Sequence, residues 1–168
     1  MSQEKEIVFR EVQSFRGKFR LMHFFLAIAI AGACFAITIA ILKNPDKTPG
    51  SILAQAGGII LTIGIVALFI VLKLETKVRS DGLYVRYFPF HFKFKKINPE
   101  DLTEYSARQY SPLREYGGWG IKCGKGGKAY NVSGDRGLQL VFNNGKRLLI
   151  GSQKADELEQ AMRSVIGA

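Results

Sequence analysis

The residues of this chain whose types and spacing could support chemistry are mostly basic, and none of them completes a catalytic pattern. His23 and His91 are its two histidines, and no Cys, Ser or acidic residue stands at a spacing that predicts a triad with either. Cys34 and Cys123 are far apart and lack the spacing of a metal site. We therefore predict a protein that is not an enzyme and that holds no metal or cofactor.

Gly117–Lys128 is rich in glycine and invites comparison with a phosphate-binding loop. A P-loop follows G-x-x-x-x-G-K-[ST] between a strand and a helix, whereas Gly124-Lys-Gly-Gly-Lys-Ala lacks the Ser/Thr and precedes a predicted strand. We predict a glycine hairpin here and identify no small-molecule substrate.

A set of basic and aromatic residues is the candidate contact surface for a lipid or a protein partner. Between Phe88 and Phe94 every second residue is Phe, while His91 and the lysines that follow take the other parity. A strand would turn the Phe side chains to the core and the cations outward. Each cation near an anionic bilayer contributes about 1 kcal/mol; the alternative is a solvated strand face. The full set is His91, Lys93, Lys95, Lys96, Arg114, Trp119, Lys122, Lys125 and Lys128. Trp119 is either a contact aromatic or a core residue.

The charge of the chain is strongly positive and unevenly distributed. Its net charge is +10, and residues 73–168 carry 17 Lys/Arg against 10 Asp/Glu. Such an excess is typical of nucleic-acid binding in a free domain, but beside a membrane it fits the anionic inner leaflet at least as well, and it also keeps a domain in solution. We expect membrane lipids as a partner and no nucleic acid.

Two charge-free apolar runs, residues 24–42 and 52–72, are the elements that would position this surface. Their 19 and 21 residues would span roughly 28 and 31 Å as helices, close to the ~30 Å hydrocarbon core of a bilayer. Small residues recur every four positions in both runs, which favours close helix packing. We predict a two-helix transmembrane hairpin over residues 23–73.

Lys and Arg flank the outer ends of both runs, and the loop between the runs carries two lysines. The positive-inside rule then places both termini in the cytoplasm. Residues 1–22 form a cytoplasmic amphipathic N-terminal segment. Within it, Ile7–Phe19 would fold either as an interfacial helix or as a short strand that docks on the downstream domain.

In residues 74–168 apolar and polar residues alternate with a period of two, which predicts antiparallel strands. Two hairpins stand out, Lys73–Tyr87 and Leu138–Ile150, and the second carries Asn144-Gly145, a pair that suits a type I′ turn. Ala155–Ile166 has the apolar face of an amphipathic helix. The predicted fold class is therefore an α+β membrane protein, with the transmembrane hairpin followed by an antiparallel sheet and a closing helix.

This order of strands and a terminal helix resembles the bacterial pleckstrin-homology-like (PH-like) domain over Leu74–Ile166, with Lys146-Arg-Leu-Leu-Ile-Gly-Ser-Gln as the last strand running into the helix. Three further motifs are similar to a family of uncharacterised two-helix bacterial membrane proteins: Phe9-Arg-Glu-Val-Gln13, Arg114-Glu-Tyr-Gly-Gly-Trp-Gly120 and Lys128-Ala-Tyr-Asn-Val-Ser-Gly134. The resemblance implies an antiparallel sheet or barrel capped by the C-terminal helix, in a multi-pass protein of the bacterial inner membrane. It supplies no catalytic residues, and it links bacterial domains of this kind to protein contacts.

The expected function is that of a membrane-anchored PH-like scaffold or interaction module, which acts through contacts with a protein partner or through self-assembly into a homo-oligomer. Two alternatives stay open at this point. The basic face could bind the headgroups of anionic lipids, or the chain could be an accessory subunit of a membrane complex.

Overall fold

The computed structural model describes residues 6–15, the single positions 30 and 32, residues 38–39 and residues 49–166. The strands are β1 Ile7–Ser14, β2 Lys73–Arg79, β3 Gly82–Phe88, β4 Lys95–Ile97, β5 Leu102–Gln109, β6 Gly120–Gly124, β7 Gly127–Asn131, β8 Arg136–Phe142 and β9 Arg147–Gly151. The helices are α1 Pro49–Val71, a single 3-10 turn Pro99–Asp101, α2 Pro112–Tyr116 and α3 Ala155–Ile166. These elements fall into two compact units: α1 lies in one, and the other, here called the β unit, combines β1 with every element from β2 to α3.

The β unit contains two sheets. In the first, β1, β2, β3 and β4 pair in sequence order, and each pair is antiparallel. In the second, the order is β5-β8-β9-β7-β6, and every pair is antiparallel except β7 with β9. The β6–β7 hairpin therefore extends this sheet beyond β9, although it precedes both β8 and β9 in the sequence.

Helix α3 closes the core between the two sheets. It contacts β1, β2 and β3 of the first sheet and β5 and β8 of the second. Leu158 and Met162 on its apolar face are fully buried. The sheets also meet directly, because the Tyr87 hydroxyl donates to the Asn131 carbonyl oxygen at 3.2 Å. Burial of these aliphatic and aromatic side chains is the main stabilising contribution to the β unit.

Strand β1 is fixed to the junction between β9 and α3 by a buried carboxylate. Glu11 is 9% exposed, and its two oxygens accept hydrogen bonds from the Ser152 hydroxyl at 2.6 Å and from the Gln153 N–H at 2.9 Å. Gln13, on the same strand, donates to the Gly151 carbonyl oxygen at 2.7 Å. A residue from the start of the chain therefore satisfies donors at the start of its last helix.

The β-rich part of the predicted fold is confirmed, since the chain is mostly β-sheet with a C-terminal helix. The hairpins β2–β3 and β8–β9 lie where alternation and the Asn-Gly pair predicted them. The predicted type I′ turn is wrong, because Gly145 has a positive φ and Asn144 does not. Of the two alternatives for Ile7–Phe19, the strand is observed, over Ile7–Ser14.

The membrane part of the predicted fold class is corrected. Among the residues that the structure describes, no helix combines the length and hydropathy needed to cross a membrane. This finding overturns the transmembrane hairpin over residues 23–73, and with it the multi-pass location in a bacterial inner membrane. Most of the first predicted helix, residues 24–42, lies outside the described residues.

Glu11→Ala is expected to lower the free energy of unfolding of the β unit by about 1–3 kcal/mol, because two donors at the β9–α3 junction lose their acceptor. Urea unfolding followed by the fluorescence of Trp119, the single tryptophan, measures this change. Glu104→Ala, at an exposed position of β5, is the control and should change the free energy by less than about 0.5 kcal/mol. Equal losses in the two variants would contradict the role assigned to Glu11.

Candidate functional site

The chain between β3 and β4 is a loop, not the strand that its alternating phenylalanines predicted. Pro89 has no N–H to donate to a neighbouring strand, and β3 ends at Phe88. The chain then turns, and the His91 N–H donates to the Tyr87 carbonyl oxygen at 2.8 Å. We call residues 88–94 the aromatic loop.

The phenylalanines of the aromatic loop do not form a ridge toward the core. Phe90 is 58% exposed and Phe92 is 76% exposed. The Phe94 ring lies between two cations, with its centroid 4.4 Å from the Lys77 ammonium and 4.5 Å from the Arg86 guanidinium. These cation–π contacts hold the C-terminal end of the loop against β2 and β3. The loop therefore presents two large aromatic side chains to solvent.

His91 connects the aromatic loop to β7. Its ring meets the Tyr130 ring edge to face, with the centroids 5.4 Å apart. Burial, and then the positive charges of Lys128 and Lys95, lower the pKa of His91 below its ordinary value. Its Nδ1 atom is buried without a hydrogen-bond partner among the described residues, so protonation would leave a buried N–H unsatisfied. The imidazole is therefore neutral at neutral pH.

Beside Tyr130 lies a cleft lined mainly by cations. Its volume is about 280 Å³, and a second cleft of about 510 Å³ shares Lys128, Lys146 and Arg147 with it. We call the two together the basic cleft. No Asp or Glu side chain of the described residues lines it. Its five cations are Lys95, Lys125, Lys128, Lys146 and Arg147, and its apolar lining is Tyr130, Phe142 and Leu148.

The parallel pairing of β7 with β9 brings these cations together. In its register Lys128 stands opposite Leu148. Gly127, the residue before Lys128, has a φ of +98°, and a Cβ at this position would lie 2.5 Å from the Arg147 carbonyl oxygen. Only glycine allows the two backbones to approach so closely in this conformation. The start of β7 therefore lies against the start of β9.

The opposite face of β7 and β9 is buried beneath α2. Ala129 and Leu149 form a buried cluster with Tyr110 and Tyr116. Because successive side chains of a strand point to opposite faces, burial of Ala129 on this side turns Lys128 toward the cleft.

Arg108 fixes α2 beside the β6–β7 turn. Its guanidinium donates to the Glu115 carboxylate at 2.7 Å and to the Tyr116 hydroxyl oxygen at 3.2 Å. The Tyr116 hydroxyl donates in turn to the Gly126 carbonyl oxygen at 3.4 Å. The hydrogen bond from Arg108 lowers the pKa of Glu115, so this pair stays ionised at neutral pH. The turn that carries Lys125 is thereby supported from one side.

The cations of the basic cleft lack acidic partners. Within the described part of the chain, none of the five forms an ion pair with a carboxylate. Lys96 differs, because its ammonium lies 2.9 Å from Asp81 and its pKa is raised by that hydrogen bond. The Lys128 ammonium lies instead 5.1 Å from the centroid of the Tyr130 ring. The positive charge of the cleft is therefore available to a ligand.

The nine predicted contact residues are only partly brought together. Four of them gather at the basic cleft or on Tyr130 beside it: His91, Lys95, Lys125 and Lys128. The others are spread over the β unit: Lys93 in the aromatic loop, Lys96 on β4, Arg114 on α2, Trp119 before β6 and Lys122 on β6. The Trp119 indole N–H donates to the Gly134 carbonyl oxygen at 3.0 Å, a contact that anchors the ring within the β unit.

Sequence reasoning missed Tyr130, Phe142, Lys146 and Arg147 as lining residues of the cleft. The basic pair Lys146–Arg147 directly after an Asn-Gly turn was a usable signal, because hairpin ends are exposed. No local signal could place this pair beside Lys128, since the β7–β9 pairing is not local in sequence.

The basic cleft can attract anions. The exposed side chains of Phe90 and Phe92 can become buried in a contact with another molecule. The residues that the structure describes contain no group of three His, Cys, Asp or Glu side chains close enough to hold a metal ion.

Gly127→Ala is expected to lower the free energy of unfolding of the β unit by about 2–4 kcal/mol, because the new methyl group would meet the Arg147 backbone at a positive φ. Gly145→Ala is the matched control, since its φ is +74° but a Cβ there would meet nothing within 4 Å. We expect a loss of about 1–2 kcal/mol for this control. Urea unfolding measures both, and equal losses would exclude the close approach at Gly127.

Acidification is expected to destabilise the β unit through His91. Because its pKa in the folded state lies below the ordinary value of about 6.5, the unfolded chain binds this proton first as the pH falls. The free energy of unfolding is therefore not reduced by His91 when the pH is above the pKa of this residue in the unfolded chain. It declines as the pH falls below that pKa. Unfolding free energies measured from about pH 7.5 to about pH 5 should decline less in His91→Gln than in the wild type. The same decline in both proteins would contradict this role.

Comparison with known proteins gives a family but no activity. A family model described as a family of unknown function (DUF6141) matches residues 1–168. No curated protein and no solved structure matches the chain. Because the match covers the whole length, the chain belongs to this family of unknown function.

Proposed function

We propose that the chain is a non-catalytic interaction module whose β unit binds an acidic segment of a partner protein through the aromatic loop. The observation that carries this proposal is the exposure of Phe90 and Phe92 beside lysines. Exposed aliphatic residues scattered singly need no explanation, but two large aromatic side chains on one short loop are an unusual feature of a protein surface.

The composition of the loop fits the anatomy of a protein interface. Aromatic side chains act as anchors because each buries a large area in a pocket of the partner. Lys93 and Lys95 are exposed on either side of Phe94 and form no ion pair among the described residues. Such cations attract an acidic partner and accelerate its encounter with the loop.

The charge of the β unit favours a different protein over a second copy as the partner. Residues 73–168 carry 17 Lys/Arg against 10 Asp/Glu, so two copies repel each other. Self-assembly through this loop would have to overcome that repulsion.

Assignment of the β unit to the PH-like class is part of this proposal. Two sheets closed by α3 support it. The resemblance of the sequence to bacterial PH-like domains links such a fold to protein contacts.

Binding to the headgroups of anionic lipids is a second candidate. Exposed aromatic side chains next to lysines are also the composition of surfaces that lie in a lipid interface. Crosslinking from position 92 distinguishes lipid binding from protein binding.

Phe90→Ser and Phe92→Ser are each expected to weaken partner binding by about 2 kcal/mol or more, roughly thirtyfold, because each removes an aromatic anchor. Leu113→Ser is the matched control, since Leu113 is an apolar residue 67% exposed on α2, outside the loop. Its affinity should equal that of the wild type.

The partner is found by placing a benzophenone amino acid at position 92 of the full chain in its native cells, with position 113 as the control. The recovered protein is then titrated against the purified variants. Protein adducts formed only from position 92, and lost with Lys93→Glu and Lys95→Glu, would support the proposal. Equal adducts from both positions would contradict it, and adducts with lipid alone would assign the second candidate.

A further inference from the structure

We infer that the basic cleft binds a multiply charged oxyanion of the phosphate class, a condensed phosphate or a phosphomonoester group. This site lies beside the aromatic loop but does not depend on the proposed protein contact. It would give the β unit a small anionic ligand in addition to a partner.

Positive charges from separate segments of the chain converge at the basic cleft. Lys95 comes from β4, Lys128 from β7, and Lys146 and Arg147 from the hairpin between β8 and β9. Lys125 adds a fifth charge from the β6–β7 turn. These segments are distant in sequence, so the convergence is a product of the fold. A concave cluster of one sign focuses its field into the cleft and attracts anions.

The cations of the basic cleft have no carboxylate partner among the described residues. The described acidic residues that form ion pairs are engaged elsewhere, on Lys73, Arg86, Lys96, Arg108, Arg136, Lys154 and Arg163. The cleft cations repel one another, and a bound anion would remove that repulsion.

The volume and charge of the cleft limit the ligands that fit it. A cleft of about 280 Å³ with four cations on its rim needs a compact, multiply charged group. A phosphomonoester carries about 1.5–2 negative charges at neutral pH, whereas a peptide carboxylate carries one. The planar guanidinium of Arg147 suits two oxygens of one phosphoryl group.

The lining of the cleft adds to its anion affinity. Tyr130 and Leu148 are 2% and 4% exposed and give the cleft an apolar base. An apolar base lowers the local dielectric constant and strengthens each charge contact. The side-chain Oδ1 atom of Asn144 accepts the Lys146 backbone N–H at 3.1 Å, which leaves the side-chain NH₂ of Asn144 as a neutral donor on the rim.

The test is calorimetric titration of the full chain with inorganic phosphate, pyrophosphate and tripolyphosphate at fixed ionic strength, with citrate as a carboxylate of similar charge. We expect affinity to increase with the number of phosphoryl groups and to exceed that for citrate. Lys128→Gln and Arg147→Gln should each weaken tripolyphosphate binding at least about tenfold, because each removes a charged contact. Lys122→Gln, on β6 outside the cleft, should leave the affinity unchanged.

The outcomes distinguish specific binding in the cleft from general attraction of anions to a positively charged protein. Citrate binding as tight as tripolyphosphate binding, or equal losses in Lys122→Gln and Lys128→Gln, would overturn the proposal. The Lys128 and Arg147 side chains are exposed, so Lys128→Gln and Arg147→Gln should keep the circular dichroism spectrum of the wild type. The Phe90→Ser and Phe92→Ser variants should bind tripolyphosphate normally, so failure of the protein-contact proposal would leave this result intact.

A second readout places the ion in the cleft. A bound oxyanion near Lys128 and Lys95 would favour the imidazolium form and raise the pKa of His91. Nuclear magnetic resonance of the His91 ring hydrogens should record this increase in the wild type and not in Arg147→Gln. Binding without any effect on His91 would locate the ion elsewhere and overturn the assignment.

Vesicles distinguish the two sources of a phosphoryl group. Phosphatidylcholine vesicles are tested with and without phosphatidic acid, whose headgroup is a phosphomonoester. Binding of tripolyphosphate in solution assigns a soluble ligand, and binding only to phosphatidic acid vesicles, lost in Lys128→Gln, assigns a lipid headgroup. Absence of both would overturn the proposal.

Discussion

The basic cleft depends on one constraint, the parallel pairing of β7 with β9. Parallel strands bring their corresponding ends together, so the start of β7 at Lys128 lies beside the start of β9 at Arg147. An antiparallel pairing would have placed Lys128 near the far end of β9, away from the other cations. Glycine makes the parallel pairing possible at both ends, since a Cβ at Gly127 would meet Arg147 and a Cβ at Gly151 would meet Asn131. The backbone geometry of one strand pair therefore determines where the positive charges of this surface lie.

The distribution of acidic groups explains why this surface stays positive. Glu11 holds β1 to the start of α3, Glu75 pairs with Arg86, and Glu115 pairs with Arg108. Each of these carboxylates stabilises a junction between elements, and none of them lines the cleft. The fold would therefore lose no described ion pair if the cleft cations were neutral. Exposed lysines repel one another only weakly in water, because solvent and salt screen them. A cluster that the fold does not use, and that solvent tolerates at low cost, is the kind of feature that ligand binding explains.

The sequence predicted the elements that depend on local patterns and failed where distant segments decide. Alternation and the Asn144-Gly145 pair placed the β2–β3 and β8–β9 hairpins, and apolar periodicity placed α3. The same alternation misassigned the aromatic loop, because Pro89 removes a hydrogen-bond donor that a period-two count does not register. Three of the five cleft cations, Lys95, Lys125 and Lys128, were predicted as contact residues. Their convergence was not predicted, because it follows from a strand pairing between residues about 20 positions apart. The transmembrane hairpin was argued from two charge-free apolar runs and the basic residues that flank them. The described residues contain no helix that could cross a membrane, so the apolar runs were not a sufficient criterion.

The aromatic loop and the basic cleft are physically linked through Tyr130 and Lys95. The Tyr130 ring contacts the His91 ring and lies under the Lys128 ammonium, so the two sites share one buried ring. Lys95 flanks the loop and also lines the cleft. An anion in the cleft would neutralise charge that an acidic partner on the loop would otherwise use, and linkage requires the reverse effect to be equal in free energy. Protonation of His91 would instead strengthen the binding of an anion at either site, because it adds a positive charge beside both. If both proposals hold, binding of an oxyanion, binding of an acidic segment and protonation of His91 would be coupled through Tyr130 and Lys95. The sign of each coupling would follow from the charges.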